Sequence, residues 1–223
     1  MAMNLTVKIG AVKNENEDGY KRLYTLGKRQ ERSDQRRANI LSAARKLLGS
    51  AGYPGLTMEL LARESGVSRQ TVHNLFKTKA GVLEALFDEL ALSGGMERMG
   101  EAMRAVMSGT DAEALLEGYV RVFTGFWSTD RLLLRRIRGI AAFDPEFAAA
   151  LEGRNQRRRI TAPRVVERLA ALRGRNIAKE ARLADALYAM TSFEYFDVQA
   201  DAVGSEAGAA DALVAQLKAL LLG

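Results

Sequence analysis

The sequence of 223 residues contains no cysteine and only one histidine, His73. The absence of cysteine excludes disulfide bonds and thiolate metal sites, and it fits the reducing cytoplasm, where we expect the protein to reside. One histidine without cysteine leaves little material for a catalytic metal site or for a nucleophile activated by a base. We therefore expect no enzymatic activity, no metal and no cofactor.

Long apolar runs are absent as well. No stretch reaches the roughly 18 apolar residues that a membrane-spanning helix requires, and the first residues lack the apolar segment of a signal peptide. We therefore expect no membrane partner. Hydrophobic residues nevertheless make up 48% of the chain, which is sufficient for one sizeable core or for one small and one medium domain.

Positive charge is present in excess and is concentrated in one segment. Residues 28–79 contain 11 Lys/Arg and 4 Asp/Glu, a net charge of +7, whereas residues 91–223 have a net charge of only +1 from 18 basic and 17 acidic residues. A localised basic excess is typical of modules that bind polyanions, because each neutralised phosphate releases counterions. An ordinary solvated basic face is the alternative that charge alone leaves open.

Apolar residues at helical spacing predict four helices between residues 33 and 90. Capping residues and glycine stops predict where these helices begin and end. The predicted N-caps are Ser33 or Asp34, then Thr57, Ser68 and Thr78, and the predicted stops are Gly52 with Pro54 and Gly66. The second and third helices are joined by a tight turn that contains glycine, which is the form of a helix-turn-helix unit.

The third of these helices, about residues 68–77, has two opposite faces. Its apolar arc, about 140° wide, is formed by Thr71, Val72, Leu75 and Phe76 and is predicted to pack inward. The opposite arc is formed by Arg69, Gln70, His73, Asn74 and Lys77. None of these five outward residues is a carboxylate.

The chain after Leu90 is predicted to be helical throughout, with no strand after residue 33. Asp111, Asp130 and Asp144 are predicted N-caps, and Pro145 is suited to the first helical position. The last two helices are predicted over about 176–203 and 205–222. The basic cluster 154–159 is interpreted as a solvated helix face. Before residue 33, a short strand at 5–11 is conceivable, and most of the segment is expected to be mobile.

Residues 57–83 resemble the DNA-binding signature of TetR/AcrR-type transcriptional regulators. The matching positions are Thr57, Leu61–Ala62, Gly66–Val67–Ser68, Thr71–Val72, Phe76 and Lys79. The resemblance implies an all-α fold, with an N-terminal three-helix helix-turn-helix DNA-binding domain followed by a larger helical ligand-binding and dimerisation domain. We place a mobile basic arm at 1–33, the DNA-binding domain at 34–80 and the effector-binding and dimerisation domain at 81–223.

The resemblance also implies DNA-contacting residues. The helix at 68–77 is expected to enter the major groove, where Arg, Gln and Asn side chains can make bidentate contacts with base edges. Three residues depart from the common choices of the family, namely Gln70, His73 and Leu75, so this helix is expected to read an operator of its own. The expected DNA-contacting residues are Thr57, Ser68, Arg69, Gln70, Thr71, His73, Asn74, Lys77, Lys79, Arg36 and Arg37.

The second domain is expected to bind an effector and to form a homodimer through the last two helices. Aromatic and methionine residues recur there at helical spacing, which is typical of a core and also of an apolar pocket with adaptable walls. The expected ligand-binding residues are Met99, Met103, Tyr119, Phe123, Phe126, Trp127, Phe143, Phe147, Tyr188 and Phe193. Few acids lie among them, which favours an apolar or aromatic effector over a dication.

The sequence therefore predicts a transcriptional regulator, a repressor that binds a palindromic operator in double-stranded DNA as a dimer and is released by a small effector. The alternative is an architectural or adaptor protein that binds DNA without effector control. A helical-bundle enzyme is a third class, which the scarcity of histidine, cysteine and paired carboxylates disfavours.

Overall fold

The computed structural model describes residues 15–93, 99–174 and 181–223, which form eleven α-helices and no strand. This confirms the predicted all-α fold. The helices are α1 (Glu15–Ser50), α2 (Met58–Ser65), α3 (Arg69–Phe76), α4 (Lys79–Ser93), α5 (Met99–Ser108), α6 (Ala112–Trp127), α7 (Arg131–Ile140), α8 (Pro145–Leu172), α9 (Ala181–Met190), α10 (Phe193–Val203) and α11 (Glu206–Leu222).

The helix-turn-helix unit consists of α2, a tight turn and α3, and its ends are capped as predicted. The Thr57 side chain accepts a hydrogen bond from the amide of Leu60, and the Ser68 side chain accepts one from the amide of Thr71. Gly66 adopts the left-handed conformation (φ 68°) that glycine tolerates best, and its amide contacts the carbonyls that end α2. These local contacts fix the direction in which α3 leaves the turn.

The start of the first helix was predicted wrongly. Ser33 and Asp34 do not cap it, because α1 already begins at Glu15 and runs without a break to Ser50. Arg36 and Arg37 consequently lie in the interior of α1 and not in its first turn. The conceivable strand at 5–11 lies outside the described residues, and the mobility expected of residues 1–33 stays a prediction.

The helices after α4 pack around an apolar core. α11 lies against α6 and α10, while α8 packs on α4 and α9. The predicted N-caps Asp111, Asp130 and Asp144 are confirmed, since each accepts a hydrogen bond from the third amide after it. The single helix predicted over 176–203 is a wrong prediction, because its described part is divided at Thr191 and Ser192 into α9 and α10, and Ser192 caps the second of these.

Among the helices described, none is long and apolar enough to cross a membrane.

Candidate functional site

The outward face of α3 consists of the five polar residues that the helical pattern indicates. Arg69, Gln70, His73, Asn74 and Lys77 are all exposed. Val72 and Phe76, on the opposite side, belong to the core. Thr71 and Leu75 are half-buried, and Leu75 packs against the core. A short helix is thus held by its apolar side, while its polar side remains accessible to a large partner.

Two contacts hold the side chains of this face in the free protein. The Gln70 amide nitrogen donates to the Asn74 amide oxygen over 2.8 Å. Arg69 forms an ion pair of 3.0 Å with Glu59, which lies in the first turn of α2. Glu59 was not predicted at this face, because the helical period of α3 does not indicate which residues of α2 lie beside it. The packing of α2 against α3 therefore places one carboxylate beside a helix that carries none.

The remaining candidate DNA contacts lie around α3. Thr57 and Ser68 are N-caps of α2 and α3, and the Thr71 hydroxyl lies 2.9 Å from that of Ser68. Lys79 is the first residue of α4, and its ammonium lies 4.1 Å from the centre of the Tyr53 ring. The Arg37 guanidinium lies 5.0 Å from the centre of the Phe76 ring. Arg37 is thus anchored beside the end of α3, whereas Arg36 is exposed on α1.

The start of α8 contacts the two loops that flank the helix-turn-helix unit, through one hydrogen bond to each. The Tyr53 hydroxyl, in the loop between α1 and α2, donates to Asp144 over 2.5 Å. The Thr78 hydroxyl donates to Glu146 over 2.9 Å. Asp144 also caps α8, so one carboxylate orients both this loop and the first turn of the longest helix after α1. Sequence reasoning missed these contacts, since the partners are separated by 91 and 68 positions.

Burial, and then the hydrogen bond to Asp144 and its negative charge, raise the pKa of Tyr53 to about 12. Burial also opposes ionisation of Asp144, but hydrogen bonds from Tyr53 and from the amides of Phe147 and Glu146, with the charge of Lys79, lower its pKa on balance. The hydrogen bond between Tyr53 and Asp144 is therefore intact at neutral pH, because Tyr53 is protonated and Asp144 is ionised.

We expect Tyr53→Phe to lower the free energy of unfolding by about 1 kcal/mol at neutral pH, since it removes this hydrogen bond. Because the pKa of folded Tyr53 is raised, its contribution is fully present below the ordinary tyrosine pKa and is lost as pH rises towards the folded value. The stability difference between wild type and Tyr53→Phe should thus be constant from about pH 6 to pH 9 and shrink above about pH 10.

Urea unfolding at a series of pH values measures this difference. Tyr195→Phe is the matched control, because the Tyr195 hydroxyl donates to the neutral amide oxygen of Gln216 over 3.1 Å. A Tyr53→Phe difference that stays flat up to pH 11 would contradict the proposed role of the Asp144 contact.

A cavity of about 330 Å³ lies among α4, α5, α6, α7 and α8. Its described lining is mainly apolar on one side and basic on the other, and it includes no carboxylate. The lining residues are Phe87, Met99, Gly100, Met103, Phe123, Phe126, Trp127, Arg138, Leu151, Arg154, Asn155, Arg157, Arg158 and Thr161. Its volume falls within the range of about 300 to 1,000 Å³ that is usual for small-molecule sites.

The cavity brings together half of the ten predicted ligand-binding residues. Met99, Met103, Phe123, Phe126 and Trp127 line it. Tyr119 and Phe147 belong to the closed core with no exposed surface, and Phe193 packs edge-on against Trp127. Tyr188 lies behind the lining, with its ring 4.5 Å from the Arg158 guanidinium. Phe143 is 81% exposed and borders a separate surface cleft beside Tyr53, so the structure does not place it at this cavity.

The basic cluster 154–159 was interpreted from the sequence as a solvated helix face. The structure shows that this interpretation is wrong for part of the cluster. Arg154, Asn155, Arg157 and Arg158 all line the cavity, and Arg158 is buried. α8 turns Arg158 inward because Leu151, Ala162 and Val165 lie on the same side of the helix and belong to the core, whereas Arg157 stays exposed. A long helix that is half-buried can carry charge towards the interior, which a count of charges along the sequence does not reveal.

The described residues include no group of three or more His, Cys, Asp or Glu side chains that is suited to hold a metal ion.

Comparison with known proteins agrees with this geometry. Residues 40–86 match the family described as bacterial regulatory proteins, tetR family. The chain is 30% identical over 111 residues to the HTH-type transcriptional regulator AlkX of Mycobacterium tuberculosis. That alignment covers 48% of this chain and 50% of AlkX, so the chain spans about half the length of this curated relative.

Two solved structures share the fold over most of the chain. One is a TetR transcription regulator from Haloarcula marismortui, with a TM-score of 0.59, 20% identity, and coverage of 85% of this chain and 97% of that one. The other is the multidrug binding protein EbrR complexed with imidazole, with a TM-score of 0.51, 22% identity, and coverage of 80% and 92%. At these identities the likeness is one of fold.

Proposed function

We propose that this chain, which belongs to the TetR family of transcriptional regulators, is a cytoplasmic repressor that binds a palindromic operator as a homodimer. A small effector with an apolar or aromatic body releases it. The observation that carries the proposal is the outward face of α3, whose five exposed polar side chains include no carboxylate. Beside a polyanion, carboxylates at these positions would repel, whereas Arg, Gln and Asn are the side chains that read base edges.

Base recognition is assigned to the exposed face of α3. An α-helix fits the major groove, where Arg69 pairs with guanine and Gln70 or Asn74 pairs with adenine. Both pairings require an exchange of partners on binding. Arg69 leaves Glu59, and the hydrogen bond between Gln70 and Asn74 opens to admit the base. His73 donates to a base or to a phosphate.

Phosphate binding is assigned to the residues around α3. Thr57 and Lys79 lie at the N-termini of α2 and α4, where unpaired amides and the positive end of the helix dipole favour an anion. Lys77 and Arg37 add positive charge near the end of α3. Ser68, Thr71 and Arg36 complete the proposed contact surface. Such contacts set the register of the helix on the duplex without reading the sequence.

Effector binding is assigned to the cavity lined by Phe123, Phe126 and Trp127. α8 supports this assignment, because its middle lines the cavity and its start contacts the loops on either side of the helix-turn-helix unit through Asp144 and Glu146. An effector that binds better to one position of α8 shifts the population towards dimers whose recognition helices are wrongly spaced. The EbrR structure, which holds imidazole, is a relative in fold with a bound small molecule.

The test begins with selection of bound duplexes from a random DNA pool. We expect an inverted repeat to emerge, because a two-fold symmetric dimer presents two identical recognition helices. Selection of no preferred sequence, together with strongly salt-dependent binding, would instead support the architectural alternative.

Arg69→Ala should weaken binding to the selected site by about 1–3 kcal/mol and relax discrimination at one base pair in each half-site. The expected cause is the loss of a bidentate contact to one base, and not the loss of one positive charge near the phosphates. Binding to the selected site and to its single-base variants measures both effects. Arg164→Ala, which removes an exposed arginine on α8, is the matched control and should change neither. Equal weakening on every sequence would show that Arg69 contacts phosphate only.

A further inference from the structure

Arg158, in the middle of α8, is a buried cation. Only 8% of its surface is exposed. One terminal nitrogen, Nη1, donates to the Thr191 carbonyl over 2.7 Å, at the break between α9 and α10. The guanidinium lies 4.5 Å from the centre of the Tyr188 ring and 6.0 Å from that of Phe123. The side chain is therefore fixed in position by a carbonyl and by aromatic rings.

No described carboxylate forms an ion pair with Arg158, and its Nε is buried without a hydrogen-bond partner. Burial lowers the pKa of this guanidinium, which reflects the cost of placing its charge there. The Thr191 carbonyl, the Tyr188 hydroxyl and the aromatic rings compensate this buried cation only in part, because none of them carries a full negative charge. Arg158, in the wall of the cavity, is thus able to pair with a further negatively charged group.

The other arginines of the cavity differ from Arg158. Arg138 is paired with Glu194 at 2.7 Å, and Arg154 is paired with Asp88 at 2.7 Å. Arg157 is exposed and completes the basic side of the lining. The acids that neutralise Arg138 and Arg154 approach from outside the lining. The interior surface that a ligand meets is therefore positive on the α8 side.

The opposite wall consists of Phe123, Phe126 and Trp127 from α6, with Met99 and Met103 from α5. Aromatic rings and flexible thioethers accept an apolar body of variable shape. A neutral hydrocarbon would fill this wall but leave Arg158 uncompensated. A cation would meet four arginines. Only a molecule with an apolar body and an anionic head satisfies both walls.

We propose that the cavity binds an amphiphilic carboxylate, with the carboxylate paired to Arg158 and the apolar body against Phe123, Phe126 and Trp127. An arginine suits this head group because its planar donors match the two oxygens of a carboxylate. The proposal rests on the proposed function only for the role of this molecule as the effector. Binding itself is independent of DNA.

The chain contains one tryptophan, Trp127, and it lines the cavity, so its fluorescence reports occupancy directly. The DNA-free full-length protein is titrated below micelle-forming concentrations with decanoate, 1-decanol and decyltrimethylammonium. We expect decanoate to bind at least about tenfold more tightly than the alcohol, since only the carboxylate forms charge-assisted hydrogen bonds with Arg158. The quaternary ammonium should bind weakest. Equal binding of decanoate and decanol, or tighter binding of the cation, would overturn the proposal.

Variants connect the preference to Arg158. Arg158→Met retains an apolar side chain of similar length and should bind decanoate and decanol about equally, whereas Arg158→Lys should keep part of the preference. The matched control is Arg159→Met, because Arg159 is exposed, does not line the cavity, and also lies against the Tyr188 ring, at 5.3 Å. Retention of the full preference by Arg158→Met would overturn the assignment. If Arg158→Met does not fold, the assignment is tested by two other measurements: the comparison of wild type with Arg158→Lys, and the comparison of the three head groups on the wild type.

Addition of decanoate to the complex with selected DNA separates this inference from the proposed function. Selective binding to the free protein without release of DNA would leave the carboxylate site intact and contradict the effector role. If decanol released the DNA as effectively as decanoate does, the proposed repressor function would still hold, but the proposed carboxylate site would be contradicted.

Discussion

Gly81→Ala should lower the affinity for the selected operator by about 100-fold or more, because the base contacts of α3 are lost together when the helix is displaced, at about 1–3 kcal/mol each. Gly81 is the third residue of α4 and faces the end of α3. A β-carbon at this position would lie 2.1 Å from the carbonyl oxygen of Phe76. No rotation of a side chain relieves this clash, since both partners are attached directly to the main chain.

The Phe76 carbonyl cannot easily move away. It accepts a hydrogen bond of 2.7 Å from the Thr78 amide, and the Phe76 side chain is held in the core. Relief therefore requires that α3 and α4 move apart, at a cost of about 1–3 kcal/mol of stability, as for other overpacked sites. α3 then no longer presents Arg69, Gln70 and Asn74 in the geometry that base edges require.

Gly125→Ala is the matched control, because it makes the same substitution inside another helix. A β-carbon at Gly125 meets nothing within 4 Å. This change should raise stability by up to about 1 kcal/mol through the higher helix propensity of alanine and should leave DNA binding unchanged. Thermal unfolding and operator titration of the two variants give both quantities. Unchanged operator binding by Gly81→Ala would show that the position of α3 does not depend on this close approach.

The outward face of α3 was predictable because a short amphipathic helix between two clear caps is determined locally. Thr57 and Ser68 each cap a helix that begins with the next residue, and the helical period then fixes which side chains face outward. The caps of α6, α7 and α8 follow the same rule. In each case the signal lies within about four residues of the feature that it determines.

Features that depend on distant partners were not predictable in this way. α1 begins 18 residues before Ser33. Ser33 and Asp34 are suited to cap a helix, but the residues before them are already helical, so neither marks its start. Glu59 reaches Arg69 only because α2 packs across α3. The burial of Arg158 depends on the Thr191 carbonyl, 33 positions away, and on rings from α6 and α9. A run of arginines in a sequence does not distinguish a solvated face from the wall of a cavity.

Exposed apolar residues on the last two helices are the basis of the second large effect that we expect. In the single chain, Val198 and Val203 on α10 are 67% and 48% exposed, and Leu220 on α11 is 44% exposed. One exposed apolar residue is ordinary, but a group on the two adjacent terminal helices favours a partner surface. We propose that a second copy of the chain covers this group. In such a two-fold symmetric dimer, each substitution is introduced twice in the same interface.

Val198→Glu should therefore convert the protein to monomers at concentrations where the wild type is dimeric, because it buries two like charges in one interface. Operator affinity should fall by about 100-fold or more, since the second half-site no longer contributes an effectively intramolecular contact. Affinity for a single half-site should change little, because Val198 lies on α10, far along the chain from α3. Sedimentation and titration of full and half operators measure these three quantities on one preparation.

Leu92→Glu is the matched control, because Leu92 is 55% exposed near the end of α4 and also gains one negative charge. It should remain dimeric and bind the full operator as the wild type does. If Val198→Glu stays dimeric and retains full-operator affinity, α10 is not the interface. If it becomes monomeric yet binds the full operator as before, a single recognition helix suffices, and the requirement for a dimer in the proposed function is wrong. Selective loss of full-operator binding is the outcome that follows from two short helices, each too small to hold DNA tightly by itself.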